Sequence, residues 1–153
     1  MPLDDSFYAP PIGTLADAQA MAIEQINAIL ERVRDLGVIV DDLLPSPPAS
    51  PVTFATDAAS ASGIWDTFVA LETGGLTDTW WRSVEDDWYE MQPSATDEFA
   101  GQAACCVAQY VAACNDNAKA LRFAIDACAT IDEVLETDLS AGWPSRTCAT
   151  VPL

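Results

Sequence analysis

The sequence predicts an all-α protein: a helical bundle with a long N-terminal heptad helix, a long C-terminal helix and extended Pro-rich arms. Three observations lead there. Apolar residues recur at spacings of three and four over most of the chain, and prolines gather in the short segments between and beyond those stretches. Half of the composition is apolar, which supplies a core and excludes wholesale disorder. A chain of 153 residues suits a single domain, which buries roughly 68–70% of the surface of its unfolded form.

Residues 1–13 hold three prolines and no helical period. They read as an extended N-terminal arm with Phe7 and Tyr8 as its anchors. Thr14 offers a helix N-cap, with Asp17 three residues on as a variant of the capping box. From there Leu15, Ala22, Ile26, Ile29, Val33, Leu36, Val40 and Leu43 form a heptad stripe with Gln19 in its one polar slot. Acidic and polar residues such as Glu24, Asn27, Glu31 and Asp41 fall on the other side, so 14–44 reads as an amphipathic helix roughly 45 Å long. Gly37 weakens its middle by about 1 kcal/mol relative to alanine, which allows a bend or an early end near Leu36. Isoleucine at both core positions favours higher-order coils, so Ile26, Ile29, Val33, Leu36, Val40 and Leu43 are the expected oligomer interface, with a trimer favoured. The competing reading is an intramolecular bundle in which the same stripe faces the C-terminal helix.

Pro45, Pro47, Pro48 and Pro51 make 45–56 a stiff linker. A helical domain is expected over 57–139. Its first helix, about 57–73, carries Ala61, Ile64, Trp65, Phe68 and Leu71 at helical spacing and stops at Gly74 and Gly75. Thr77 would cap a second, with Trp81, Val84, Trp88 and Met91 as its core face before Pro93. The last starts at Thr96, carries a stripe from Phe99 through Cys106, Tyr110, Leu121 and Cys128 to Leu135, and ends about Leu139. Asn115, Asp116 and Asn117 mark the place where it could break. The tail, 140–153, reads as irregular, with Trp143 and Val151 to dock it.

The chemistry is defined largely by exclusion. The chain has no histidine, so the usual general base, triad partner and zinc ligand are all missing. No glycine-rich phosphate loop occurs. A net charge of −18 arises from 24 acids and six scattered bases, which argues against direct contact with nucleic acid or anionic lipid. No apolar run approaches the length of a membrane span, and the N-terminus lacks the features of a signal peptide. Synthesis is therefore expected to end in the cytoplasm.

The five cysteines, at 105, 106, 114, 128 and 148, read mainly as small core residues. The exception is Cys148, whose place in the tail suggests a staple to Cys105 or to another subunit. Adjacent acids such as Asp86 and Asp87 lack calcium-loop spacing and read as solvated faces. The aromatic group Trp80, Trp81, Trp88 and Tyr89 fits a core or a protein interface better than a platform for a base or sugar.

With no catalytic residue, metal or cofactor indicated, the expected function is non-enzymatic. The chain reads as a structural or adaptor subunit of a multi-subunit assembly, a phage-like virion being the concrete case, with copies of itself and other subunits as partners. The alternative is an acidic inhibitor or immunity-type protein that covers a basic partner.

Overall fold

The computed structural model describes residues 13–40 and 52–148. The expectation of an all-α bundle is overturned. The architecture is mixed: helix α1 (Leu15–Arg34), strands β1 (Val38–Val40) and β2 (Val52–Phe54), helix α2 (Ala58–Glu72), strands β3 (Thr79–Arg82) and β4 (Trp88–Met91), helices α3 (Phe99–Asp126) and α4 (Ile131–Glu136), and strand β5 (Thr147–Cys148). Among the described residues there are two small sheets, one ordered β2-β1-β5 and one formed by β3 and β4.

α1 starts as the sequence indicates, with the Thr14 hydroxyl accepting from the Asp17 amide at 3.1 Å. It ends at Arg34, well short of residue 44. Arg32 and Arg34 in the last turn suit the negative end of the helix dipole. Gly37 then takes a φ of 87°, a conformation that only glycine adopts freely. A side chain there would also press on the Phe54 carbonyl. The corner is tied down from two directions. Thr56 accepts from the Gly37 amide at 3.1 Å and donates to the Arg34 carbonyl. The Arg146 guanidinium donates to the Leu36 and Gly37 carbonyls at 2.6 and 3.1 Å.

Past this corner the chain is extended. β1 pairs antiparallel with β2, Ile39 facing Thr53, and parallel with β5, Ile39 facing Thr147. Val38, Val40, Val52 and Phe54 point into the core, as expected of β-branched and aromatic residues on the buried face of a small sheet. The linker expected at 45–56 thus contains a strand, and so does the tail expected to be irregular over 140–153.

α2 lies close to its expected bounds, capped by Asp57, whose carboxylate accepts from the Ser60 amide at 3.2 Å. That hydrogen bond holds the Asp57 carboxyl below its usual range. The helix expected near 77–91 is instead a hairpin. The long helix expected from Thr96 to Leu139 runs unbroken through Asn115–Asn117 and stops at Asp126. A short α4 follows, capped by Thr130.

Two apolar clusters hold these elements together. One surrounds the β2-β1-β5 sheet and includes Ile64, Leu71, Met91, Phe99, Ala103, Val107 and Tyr110. The other joins α1 to α3 and α4 through Ala18, Ala22, Ile26, Ala118, Ile125 and Val134. Alanines at this contact leave room for the helix axes to approach closely. Trp143 packs against both clusters and donates from its indole nitrogen to the Leu139 carbonyl at 3.0 Å. No helix among the described residues is long and apolar enough to cross a membrane.

Candidate protein interface

The heptad residues do not form one surface. Ile26 is fully buried within its own chain, while Ile29 is half-buried. Val33 packs against the sheet core. Leu36 lies beyond the helix end and is 46% exposed, and Val40 is a buried strand residue. Leu43, like the arm anchors Phe7 and Tyr8, lies outside the described residues. The competing intramolecular arrangement is the one observed for the N-terminal half of the stripe, because α3 and α4 present the apolar face that Ala18, Ala22 and Ile26 need.

The staple expected between Cys105 and Cys148 is also corrected: Cys148 is bonded to Cys106, with the Cα atoms 5.8 Å apart. Adjacent residues on a helix point about 100° apart, and it is Cys106 whose side chain enters the core beside β5. Cys105, Cys114 and Cys128 are free thiols. Burial raises the Cys114 thiol above its ordinary pKa, and its contact with Tyr110 lowers it only in part. That is the opposite of what a nucleophilic cysteine requires. Among the described residues no group of three histidine, cysteine or acidic side chains converges as a metal site would.

The surface that stands out is the β3-β4 hairpin. Its strands alternate. Trp81 opposes Tyr89 and Thr79 opposes Met91 on one face, while Trp80 opposes Glu90 and Arg82 opposes Trp88 on the other. The first face is turned inward. Met91 is fully buried, Tyr89 stacks on Phe99 with ring centroids 5.5 Å apart, and the Trp81 ring lies against Gly63 of α2. The second face is open, with Trp80 58% and Trp88 59% exposed. They are diagonal neighbours across the strand pair, a separation of roughly 7–8 Å that aromatic side chains can bridge.

The connecting turn fixes this display. The Ser83 carbonyl accepts from the Asp86 amide at 3.1 Å, and the Ser83 amide donates to the Asp87 carbonyl at 2.9 Å. Asp86 has a φ of 70°, the left-handed conformation that Asp tolerates better than most residues. The turn also covers the outer edge of β2. The Val84 amide donates to the Thr53 carbonyl at 2.9 Å, and the Thr53 amide donates to the Glu85 carboxylate at 2.6 Å. An exposed strand edge is thereby satisfied, and the hairpin is held at its tip as well as its inner face. The Val84 side chain itself is 60% exposed.

The electrostatics around the tryptophans are one-sided. Asp78, Glu85, Asp86, Asp87 and Glu90 all lie in or beside the hairpin, and Arg82, its one base, is ion-paired with Asp86 at 2.5 Å. Burial raises the Tyr89 phenol, and the charges of Asp87 and Glu85 raise it further. On α2, Trp65 and Val69 are spaced by four and are 43% and 42% exposed, which adds a further apolar strip. The aromatic grouping was visible in the sequence. Its division into an inner and an outer face required knowing that the segment is extended.

A family model described as "Domain of unknown function (DUF4376)" matches residues 17–141. No curated protein matches the chain, and neither does any solved structure.

Proposed function

The chain belongs to the DUF4376 family, and from the surface it displays we propose that it is a non-enzymatic structural or adaptor subunit of a multi-subunit assembly, with a phage-like virion as the concrete setting. The observation that carries this reading is the anchored hairpin whose outer face exposes Trp80 and Trp88 and whose turn exposes Val84. Large apolar side chains displayed together on a satisfied, well-anchored scaffold serve contact with another macromolecule. Tryptophan is among the residues most enriched at the energetic centres of protein interfaces.

The acids around the hairpin favour a second form of the same reading, in which the partner presents a basic face, as the target of an acidic inhibitor would. That form predicts a complex that weakens as salt is added.

The test is native mass measurement of the protein isolated from its source, followed by the Trp80→Ala and Trp88→Ala variants. The expected result is a stoichiometric complex from which each substitution removes roughly 2 kcal/mol or more of binding, about thirtyfold in affinity. The circular dichroism of the chain should be unchanged. Isolation as a free monomer, or a complex indifferent to both substitutions, would sink the proposal.

A further inference from the structure

The six bases of this chain are not equally occupied. Arg34 is ion-paired with Asp35 at 3.4 Å and Arg82 with Asp86 at 2.5 Å, while Arg146 serves the carbonyls of Leu36 and Gly37. Arg32 has no ion-pair partner among the described residues, and neither do Lys119 and Arg122, although acids outnumber bases 24 to six. Lys119 and Arg122 both line one cleft of about 340 Å³ between α1 and α3.

The rest of that cleft is suited to a ring. Its apolar lining is Leu30, the buried Ala118 and Phe123, which is 62% exposed. The Lys119 ammonium lies 5.6 Å from the centre of the Phe123 ring, so a cation and an aromatic face are presented side by side. Asn27 and Asn115 also line it, each able to donate and accept hydrogen bonds. On α3 the residues Asn115, Lys119, Arg122 and Phe123 follow at spacings of three and four or adjoin, so one helix face carries them all.

We propose that this cleft binds a small organic anion in which a carboxylate or phosphate is attached to a planar ring. Arg122 takes the anionic group through its forked donors, and Lys119 adds a compact charge beside it. The ring packs on Phe123 and Leu30. Asp126, which also lines the cleft one helical turn beyond Arg122, accepts from a donor on the ligand and disfavours polyanions, as does the negative charge of the whole chain. At physiological ionic strength that wider field is screened beyond roughly 8 Å, so the two local cations decide binding. The site is separate from the hairpin and stands whether or not the assembly reading does.

The experiment is an amide-resolved NMR titration of the full chain with benzoate, phenyl phosphate and acetate, and with benzyl alcohol as the neutral control. The expected result is saturable shift changes around Asn27, Leu30 and Asn115–Asp126 for at least one ring-bearing anion, with a dissociation constant of roughly millimolar or tighter. The ring-bearing anion that binds more tightly identifies the group as carboxylate or phosphate. Lys119→Gln and Arg122→Gln should each weaken binding about tenfold, and Phe123→Ala should remove the preference for benzoate over acetate. These three positions are exposed, so the amide spectra of the variants should otherwise match the parent. The proposal is overturned by the absence of saturation below about 50 mM, by equal binding of benzyl alcohol, or by shifts that persist in the Lys119→Gln, Arg122→Gln double variant.

Discussion

Replacing Ile26 with alanine probes the central packing of α1. Ile26 is 0% exposed and belongs, with Ala18, Ala22, Ala118, Ile125 and Val134, to the buried cluster that joins α1 to α3 and α4. Isoleucine-to-alanine changes in cores cost about 2–5 kcal/mol, more where the surroundings cannot relax into the cavity. Three of the other five buried members of that cluster are alanines, whose side chains have no rotamers with which to fill space. The cost should lie in the upper half of that range, about 4 kcal/mol. For a domain of this size that is a fall of roughly 8–16 °C in the melting midpoint. Urea unfolding followed by far-ultraviolet circular dichroism, at several protein concentrations, measures it. A loss under about 1 kcal/mol, or a loss that depends on protein concentration, would refute the reasoning, because it would mean that the α1 stripe is packed between chains and not within one.

Other consequences can be checked in the same preparation. Cys148→Ser opens a link of sequence separation 42 and should cost about 4 kcal/mol by the chain-entropy argument, read as a lower urea midpoint that reduction of the parent reproduces. Tyr110 donates to the Val33 carbonyl at 2.5 Å, which also accepts from the Leu36 amide at 3.3 Å, so Tyr110→Phe should cost about 0.5–1.5 kcal/mol, the net worth of one hydrogen bond. Burial pushes the Tyr110 phenol from 10.0 up to about 12; the folded form therefore holds its proton more tightly than the unfolded form. The stability this contributes is complete below pH 10.0 and is lost as pH rises through about 12. An alkaline unfolding curve that is equally steep in the parent and in Tyr110→Phe would contradict it. Added salt should raise the melting midpoint at neutral pH by screening repulsion among the carboxylates, and an unchanged or lower midpoint in molar sodium chloride would count against that.

What could be read in the sequence, and what could not, divides along the range of the interactions involved. Thr14 and Asp57 cap their helices through bonds to residues three positions on, and such local chemistry is written in neighbouring letters. The heptad failed because periodicity carries no information about where a helix stops. Leu36 and Val40 continue the spacing of α1 while belonging to a turn and a strand, and the one local sign of the change is Gly37. The hairpin was misread for a related reason: Trp81, Val84, Trp88 and Met91 fit a helical spacing as well as their true places in two strands and a turn. The alternation of Trp80 with Trp81, the β-prone aromatics and the Asp86–Asp87 pair were the competing signals. The partnership of β5 with β1, and of Cys148 with Cys106 in place of Cys105, depends on tertiary packing that no local pattern encodes. The cleft at Lys119 and Arg122 is of the same kind, since one wall comes from α3 and Asn27 and Leu30 come from α1.

The position of β5 has a consequence for the order in which this protein can acquire its structure. β1 is the central strand of its sheet, and its second neighbour is supplied by Thr147 and Cys148. The corner before it is closed by Arg146, which bonds to a carbonyl 110 residues earlier in the chain. On a ribosome, α1 and the first half of the sheet emerge long before these groups do. Until then one edge of β1 and the carbonyls of Leu36 and Gly37 must be served by water. The α1–α3 contact can form in the meantime, but the sheet is completed last, when the segment around Arg146 arrives. A nascent chain halted before that segment should therefore hold its helices while the Ile39 amide, which donates to the Arg146 carbonyl in the complete fold, still exchanges its hydrogen freely.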